Sequence, residues 1–197
     1  MHGKRTMIRL DLNVPIKNGA VISDARIMAS LPTIKMALDK GANVILLSHL
    51  GRPDPDNIDG SFSLEPVAER LKEILGIKVS FQSNWVEGID HPSDGITLCE
   101  NVRYHAGEKK NDESLSQKIA GLCDVYVMDA FGASHRKHSS TYGALQFAKE
   151  RCIGPLLSNE VNSIKKAIDG PKSPVTAIIG GAKVSSKLGV IEKFSSF

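Results

Sequence analysis

Apolar positions along the chain fall into two alternating rhythms. Short, near-continuous apolar runs occupy Thr6 to Leu12, Asn43 to Leu47, Lys78 to Phe81, Ile96 to Cys99, Val125 to Met128 and Val175 to Ile179. Runs of this length, rich in β-branched residues, predict strands covered on both faces. Between them lie longer stretches with apolar residues at helical spacing. One runs from Ser23, a plausible N-cap, to Lys40, with Gly41 as its stop and Pro32 expected to break or kink it. Others cover Glu65 to Leu75, Glu113 to Leu122 and Leu156 to Ile168, the last with Leu157, Val161, Ile164 and Ile168 in one stripe. Strand, helix, strand at this spacing predicts βαβ units and a mostly parallel α/β sheet.

A boundary is expected near Gly170, Pro171 and Pro174, after which a fresh strand starts. The expected organisation is a first domain over 1–154, a connector helix over 155–170 and the start of a second α/β domain over 171–197. One strand and one helix cannot bury their own apolar faces, so that second piece is expected to need a continuation.

Composition narrows the classes. The chain has 197 residues, 41% apolar and 24% charged, with a net charge of +3, which fits a globular domain rather than a disordered tail. The charge is too mild, and the 5% aromatic content too low, for a nucleic-acid-binding surface. Cys99, Cys123 and Cys152 stand far apart, without a CxxC pair, so neither a disulfide scaffold nor a cysteine zinc site is expected. No apolar run is long enough for a signal peptide or a membrane span, and the expected location is cytoplasmic.

The charged residues matter more by position than by number. In open α/β sheets, ligands bind outside the carboxyl ends of the strands. Past the first run come Asp11 and Asn13, with Arg26 at the start of the following helix. Past the second come His49, Gly51 and Arg52. Past Ile96 to Cys99 come Glu100, Asn101 and Arg103. Past Val125 to Met128 come Asp129, Gly132, His135 and Arg136. Any one of these could be an ordinary turn or core residue. Four arginines and two histidines from four strand exits point instead to a small, multiply anionic ligand, which suits the planar guanidinium fork. His135 and His138 have an HxxH spacing, but no third ligand lies near and Arg136 would repel a cation, so no metal is expected there.

One further motif, "GGAKVSSK" (Gly180 to Lys187), has the strand, glycine pair and helix of a phosphate loop. It is neither a Walker A sequence nor a GxGxxG. Lys183 and Lys187 would share one helix face beside Gly180 and Gly181, which suits a polyphosphate, although two solvated lysines would look the same.

Taken together, "RLDLNVP", "SDARI", "LPTI", "SHLGRP", "ENVRYHAGE", "VMDAFGASHRKHSSTYG" and "GGAKVSSK" resemble the phosphoglycerate kinase family, in order and over nearly the whole chain. The resemblance implies Rossmann-like domains of three αβα layers, the first binding the phosphoglycerate and the second the nucleotide. It implies phosphoryl transfer between 1,3-bisphosphoglycerate and ADP, giving 3-phosphoglycerate and ATP, with magnesium carried by the nucleotide. It assigns substrate contacts to Asp11, Leu12, Asn13, Arg26, His49, Leu50, Gly51, Arg52, Arg103 and Arg136. It gives Arg26, Lys183 and Lys187 the transferring phosphoryl group, and Gly180, Gly181 and both lysines the nucleotide. It further implies that most of the nucleotide domain, with the magnesium ligand, lies outside this chain. The expectations are a monomer, without nucleic-acid or membrane partners, that binds phosphoglycerate but does not by itself catalyse.

Overall fold

The computed structural model describes residues 1–89, 95–169, 176, 178 and 188–195. The expected strand over Val175 to Ile179, and Gly180, Gly181, Lys183 and Lys187, lie outside the described residues.

Six parallel strands form one sheet: β1 (Arg5–Arg9), β4 (Asn43–Leu47), β5 (Val79–Gln82), β6 (Ile96–Cys99), β7 (Val125–Met128) and β8 (Glu150–Ile153). Their spatial order is β5-β6-β4-β1-β7-β8. A small antiparallel hairpin, β2 (Ile16–Lys17) with β3 (Ala20–Val21), leaves the end of the first strand. Its turn is Asn18-Gly19, both at positive φ (51° and 74°), the pair that a type I′ hairpin turn requires. Among the described residues the α-helices are α1 (Ala25–Asp39), α2 (Glu65–Leu75), α3 (Glu113–Gly121), α4 (Phe131–Ser134), α5 (Ala144–Phe147), α6 (Pro155–Ile168) and α7 (Leu188–Ser195), with short 3-10 turns at Trp85–Glu87 and Val102–Tyr104 and a π turn at Ser139–Gly143.

The period-two alternation within the strands divides two cores. Ile8, Val44, Leu46, Ile96, Leu98 and Val127 pack with Ile27, Leu31 and Ile34 of α1 and Val67 and Leu71 of α2. On the other face Met7, Ile45, Leu47 and Tyr126 pack with Trp85, with Leu115 and Ile119 of α3, and with Ala144 of α5. Fully burying one such side chain contributes roughly 1.5–3 kcal/mol, so both faces anchor the sheet. The result is the expected three-layer αβα domain.

Local differences from the sequence reading have physical causes. The N-cap of α1 is Asp24 rather than Ser23, and its carboxylate does not cap. It is taken by Arg70 of α2, whose Nε and Nη2 lie 3.0 and 2.6 Å from the two oxygens. Pro32 sits inside a continuous α1. It is exposed, as is Met28 one turn earlier, so the carbonyl that loses its partner lies on the solvent side. Strand β8 was not foreseen because all four of its residues are exposed and it carries no apolar signal; it is an edge strand paired only with β7. Of the predicted stripe on α6 only Leu157 is buried, and Ile164 stays exposed.

By their contacts, Met1–Glu160 form one compact unit and Val161–Phe197 a second. The first holds the whole sheet. The second holds the remainder of α6 and α7.

Chain order fixes where a site can lie. From β1 the chain passes to β4 on one side, and from β6 it crosses to β7 on the other. The order therefore reverses beside β1, and a crevice opens at the carboxyl ends of β1, β4 and β7.

Candidate functional site

The first strand ends on Arg9, which is 1% exposed. Burial of a guanidinium is costly unless each donor finds an acceptor. Arg9 Nε donates to Ser140 Oγ at 2.9 Å, Nη1 to the Leu10 carbonyl, and Nη2 lies 3.2 Å from His49 Nδ1. Burial lowers its pKa, while the nearby Glu108 carboxylate opposes that shift. Glu108 is also buried, and its oxygens accept the Ser140 N–H at 2.9 Å and Oγ–H at 2.6 Å.

Beyond Arg9 the strand-exit loops are tied to one another. Asp11 pairs with Arg26 of α1. Gly132, at the start of the short α4, comes so close that a Cβ there would stand 3.1 Å from Asp11 Oδ2. Asn13 Oδ1 accepts the Gly51 N–H at 2.8 Å, which joins the first loop to the second. Ser48 Oγ accepts the Leu12 N–H at 2.9 Å and donates to the Leu10 carbonyl at 3.0 Å. Asn101 holds both backbone groups of Leu50, accepting its N–H at 3.2 Å and donating to its carbonyl at 2.8 Å. Arg103 donates from Nη1 to the Gly51 carbonyl, while its buried Nε has no partner among the described residues.

Charge is concentrated here. Burial first, then Arg9, Arg103, Arg136 and Arg26 in that order, push His49 down to about 2. Burial, then Arg136 and Arg9 against the opposing Glu108, and then Arg52, push the Arg103 guanidinium down to about 10. Five arginines, from β1, α1 and the segments after β4, β6 and β7, thus share one field, faced by the carboxylates of Asp11 and Glu108. His138 Nδ1 lies 3.8 Å from Glu108, and burial, then Arg103, Arg136, Arg9 and Lys109, push it down to about 4.

The sequence-predicted residues separate by position. Asp11, Asn13, Arg26, Gly51 and Arg103 are joined by direct hydrogen bonds. Arg52 is exposed and Arg136 half-buried. His49 lies behind them, 4% exposed, as the partner of Arg9. Leu12 and Leu50 are core side chains that fix their loops. Asp129, read as a rim residue, is fully buried; it accepts the Leu157 N–H at 2.9 Å and the Thr33 hydroxyl. Its task is therefore to hold the start of α6 and not to face a ligand. The reading missed Arg9 and Glu108, and weighed His138 only as half of an HxxH metal spacing. The one available signal was an arginine inside the apolar run Thr6 to Leu12.

Gly51 sits at φ +57°, and a Cβ there would overlap the Phe62 ring. Gly51→Ala is expected to lower stability by about 1–3 kcal/mol, from left-handed backbone strain and overpacking together. A urea melt of the variant that matches the parent would refute this account of the loop.

Fold and site together define a doubly wound α/β domain with a dense cationic cluster at the reversal of its strand order. The phosphoglycerate kinase family model matches residues 1–196. A phosphoglycerate kinase of Nitratidesulfovibrio vulgaris is 51% identical over 195 residues, which is 99% of this chain and 50% of that protein. One from Legionella pneumophila is 52% identical over 193 residues, 98% of this chain and 49% of that protein. The solved phosphoglycerate kinase of Coxiella burnetii superposes with a TM-score of 0.89 at 45% identity, covering 97% of this chain and 49% of its own. That of Pyrococcus horikoshii gives 0.84 at 31% identity. The chain belongs to the phosphoglycerate kinase family, and it spans about half the length of the relatives it matches.

Proposed function

We propose that this chain carries the phosphoglycerate-binding part of a cytoplasmic, monomeric phosphotransferase. The proposed reaction moves a phosphoryl group between 1,3-bisphosphoglycerate and ADP, giving 3-phosphoglycerate and ATP. The observation that carries this reading is the cluster of Arg9, Arg26, Arg52, Arg103 and Arg136, with two carboxylates against five guanidinium groups. A ligand with both a carboxylate and a phosphate supplies the missing negative charge. Among the described residues, no helix is long and apolar enough to cross a membrane.

Phosphoryl transfer depends on positioning and on electrostatic stabilisation of charge that develops between donor and acceptor. In this reading Asp11 orients Arg26, whose guanidinium meets the transferring group. Arg52, Arg103 and Arg136 take the phosphate and carboxylate oxygens in forked hydrogen bonds. Asn13, Gly51 and His49, with the loops that Leu12 and Leu50 anchor, shape the ground between them. No general base is required, because the acceptor carboxylate of 3-phosphoglycerate is ionised at neutral pH. Lys183 and Lys187, with Gly180 and Gly181, would approach from the nucleotide side. Among the described residues no group of three His, Cys, Asp or Glu side chains can hold a metal ion. Magnesium is proposed to travel with the nucleotide, and no step here is routed through it. For the 197-residue chain by itself the proposal is binding without turnover.

The test is a two-dimensional amide NMR spectrum of the chain with and without 3-phosphoglycerate. Peaks near His49, Arg52, Arg103 and Arg136 are expected to shift. A dispersed spectrum that ignores the ligand would sink the reading. Arg52→Ala is expected to weaken binding by roughly 10- to 100-fold, the worth of charge-assisted hydrogen bonds. Unchanged affinity would remove Arg52 from the site.

A further inference from the structure

Glu108 lies in the loop between the third strand exit and α3, outside every residue given a ligand contact above. It is 1% exposed, too deep to reach a ligand itself. Its two oxygens grip a single residue, Ser140, by the backbone N–H at 2.9 Å and the hydroxyl at 2.6 Å. Its own carbonyl accepts the neighbouring Ser139 N–H at 2.9 Å. Tyr126, buried in the sheet, donates to the Ser140 carbonyl at 2.5 Å. Ser140 is therefore fixed on three sides.

The direction of the hydrogen bonds follows. A carboxylate only accepts, so the Ser140 hydroxyl proton points at Glu108. That leaves the Oγ lone pairs for the one strong donor facing them, Arg9 Nε, at 2.9 Å. Arginine only donates, so His49 Nδ1, 3.2 Å from Nη2, must be the acceptor. A neutral imidazole that accepts at Nδ1 carries its proton on Nε2. The chain Glu108–Ser140–Arg9–His49 thus runs from a buried carboxylate to an imidazole predicted to meet the ligand, with Arg9 at its centre donating to Ser140 on one side and to His49 on the other.

We infer that Glu108 is a positioning residue that works through Ser140 and Arg9 to hold the His49 ring in one orientation and in its Nε2–H tautomer. Its effect on ligand affinity rests on the anion-binding reading of the site. Its effect on the tautomer does not.

The experiment records long-range ¹H–¹⁵N spectra of the histidine rings in the full 197-residue chain, and titrates 3-phosphoglycerate in parallel. The parent is expected to show a single His49 tautomer, with an unprotonated Nδ1. In Glu108→Gln the amide presents an NH₂ to one of the two Ser140 donors, so Oγ no longer has its lone pairs reserved for Arg9. Arg9 then loses its fixed acceptor and Nη2 no longer stays opposite Nδ1, so His49 is expected to become a tautomer mixture, and 3-phosphoglycerate affinity to fall by about tenfold, the scale on which outer-shell partners act. Ser140→Ala, which removes only the Oγ link, is expected to mix the tautomers as well, and it decides the matter if Glu108→Gln does not fold. Glu100→Gln is the control. That buried carboxylate accepts from Ser63 Oγ at 2.7 Å, the Leu64 N–H at 2.8 Å and the Asn101 N–H at 2.7 Å, none of them a member of the chain that ends on His49. It is expected to change stability and leave the His49 tautomer alone. A single unchanged tautomer in folded Glu108→Gln or Ser140→Ala overturns the inference, as does a parent His49 protonated at Nδ1. A parent with the predicted tautomer that does not bind 3-phosphoglycerate would refute the proposed function and leave the positioning chain standing.

Discussion

Arg9→Met is expected to cost about 3–5 kcal/mol of folding stability, the scale on which one partner is lost from a buried charge network. Methionine matches much of the arginine volume, so the loss does not come from a cavity. It comes from what is left behind. Ser140 Oγ and His49 Nδ1 lose the donors that satisfied them, and the Leu10 carbonyl loses its Nη1 contact. Glu108 keeps its two bonds to Ser140 but loses the nearest positive charge in a site that water does not reach. That residual charge makes a second, sharper prediction within the same experiment. In Arg9→Met with Glu108→Gln the uncompensated carboxylate is gone, so the double variant is expected to be more stable than the sum of the single losses by more than about 1 kcal/mol. Urea denaturation of the four proteins measures both quantities. A single loss below about 1 kcal/mol, or strict additivity, would mean that Arg9 and Glu108 are not energetically coupled.

The sequence reading foresaw what depends on local pattern and missed what depends on distant pairs. Strands β1, β4, β6 and β7 are apolar runs buried on both faces, so hydrophobicity marks them directly. Strand β8 reads Glu150-Arg151-Cys152-Ile153 and exists because β7 offers it a parallel partner, which no local signal announces. The Asn18-Gly19 turn was a legible hairpin signal, but two-residue strands are too short to display an alternation beside it. At the site, arginines that follow strand exits were recognisable because an exit loop is a place where ligands bind. Arg9 was not, because it lies inside a strand-like run where a charged residue reads as an anomaly. Glu108 is legible only once Ser140 is known to face it, and that contact depends on how the loop after β7 folds back over the loop after β6. Asp129 failed in the opposite sense. Its place at a strand exit suited a ligand contact, yet the start of α6 and Thr33 had already claimed both of its oxygens.

Acidification below about pH 6.5 is expected to destabilise the chain well before its carboxylates titrate. His49 and His138 are both held below the ordinary histidine value, to about 2 and about 4, by burial first and then by the arginines around them. For His49 these are Arg9, Arg103, Arg136 and Arg26. For His138 they are Arg103, Arg136 and Arg9, with Lys109 beside them and Glu108 on its Nδ1 side. His105, packed edge-on against Trp85, is lowered by burial and by Lys118. A histidine that binds its proton less well when folded lets the unfolded chain take up protons first. Its stabilising contribution is complete above pH 6.5 and drains away as the pH falls toward the folded value. His49 alone supplies a slope of about 1.4 kcal/mol per pH unit, or roughly 2 kcal/mol between pH 6.5 and 5. His138 adds less than its shift suggests, since its ring is 19% exposed and partly screened. Glu108 has its own pKa raised, chiefly by burial, so it works against the trend. The measurement is urea denaturation at pH 7.5, 6.5, 5.75 and 5, repeated with saturating 3-phosphoglycerate. A polyanion among the arginines cancels their share of the shift and leaves the share from burial, so the bound protein is expected to take up more protons and lose less stability on the way down. Equal stability at pH 7.5 and 5 would mean that the histidines are not held neutral by this cluster. A pH dependence that 3-phosphoglycerate leaves unchanged would mean that the ligand does not neutralise these arginines.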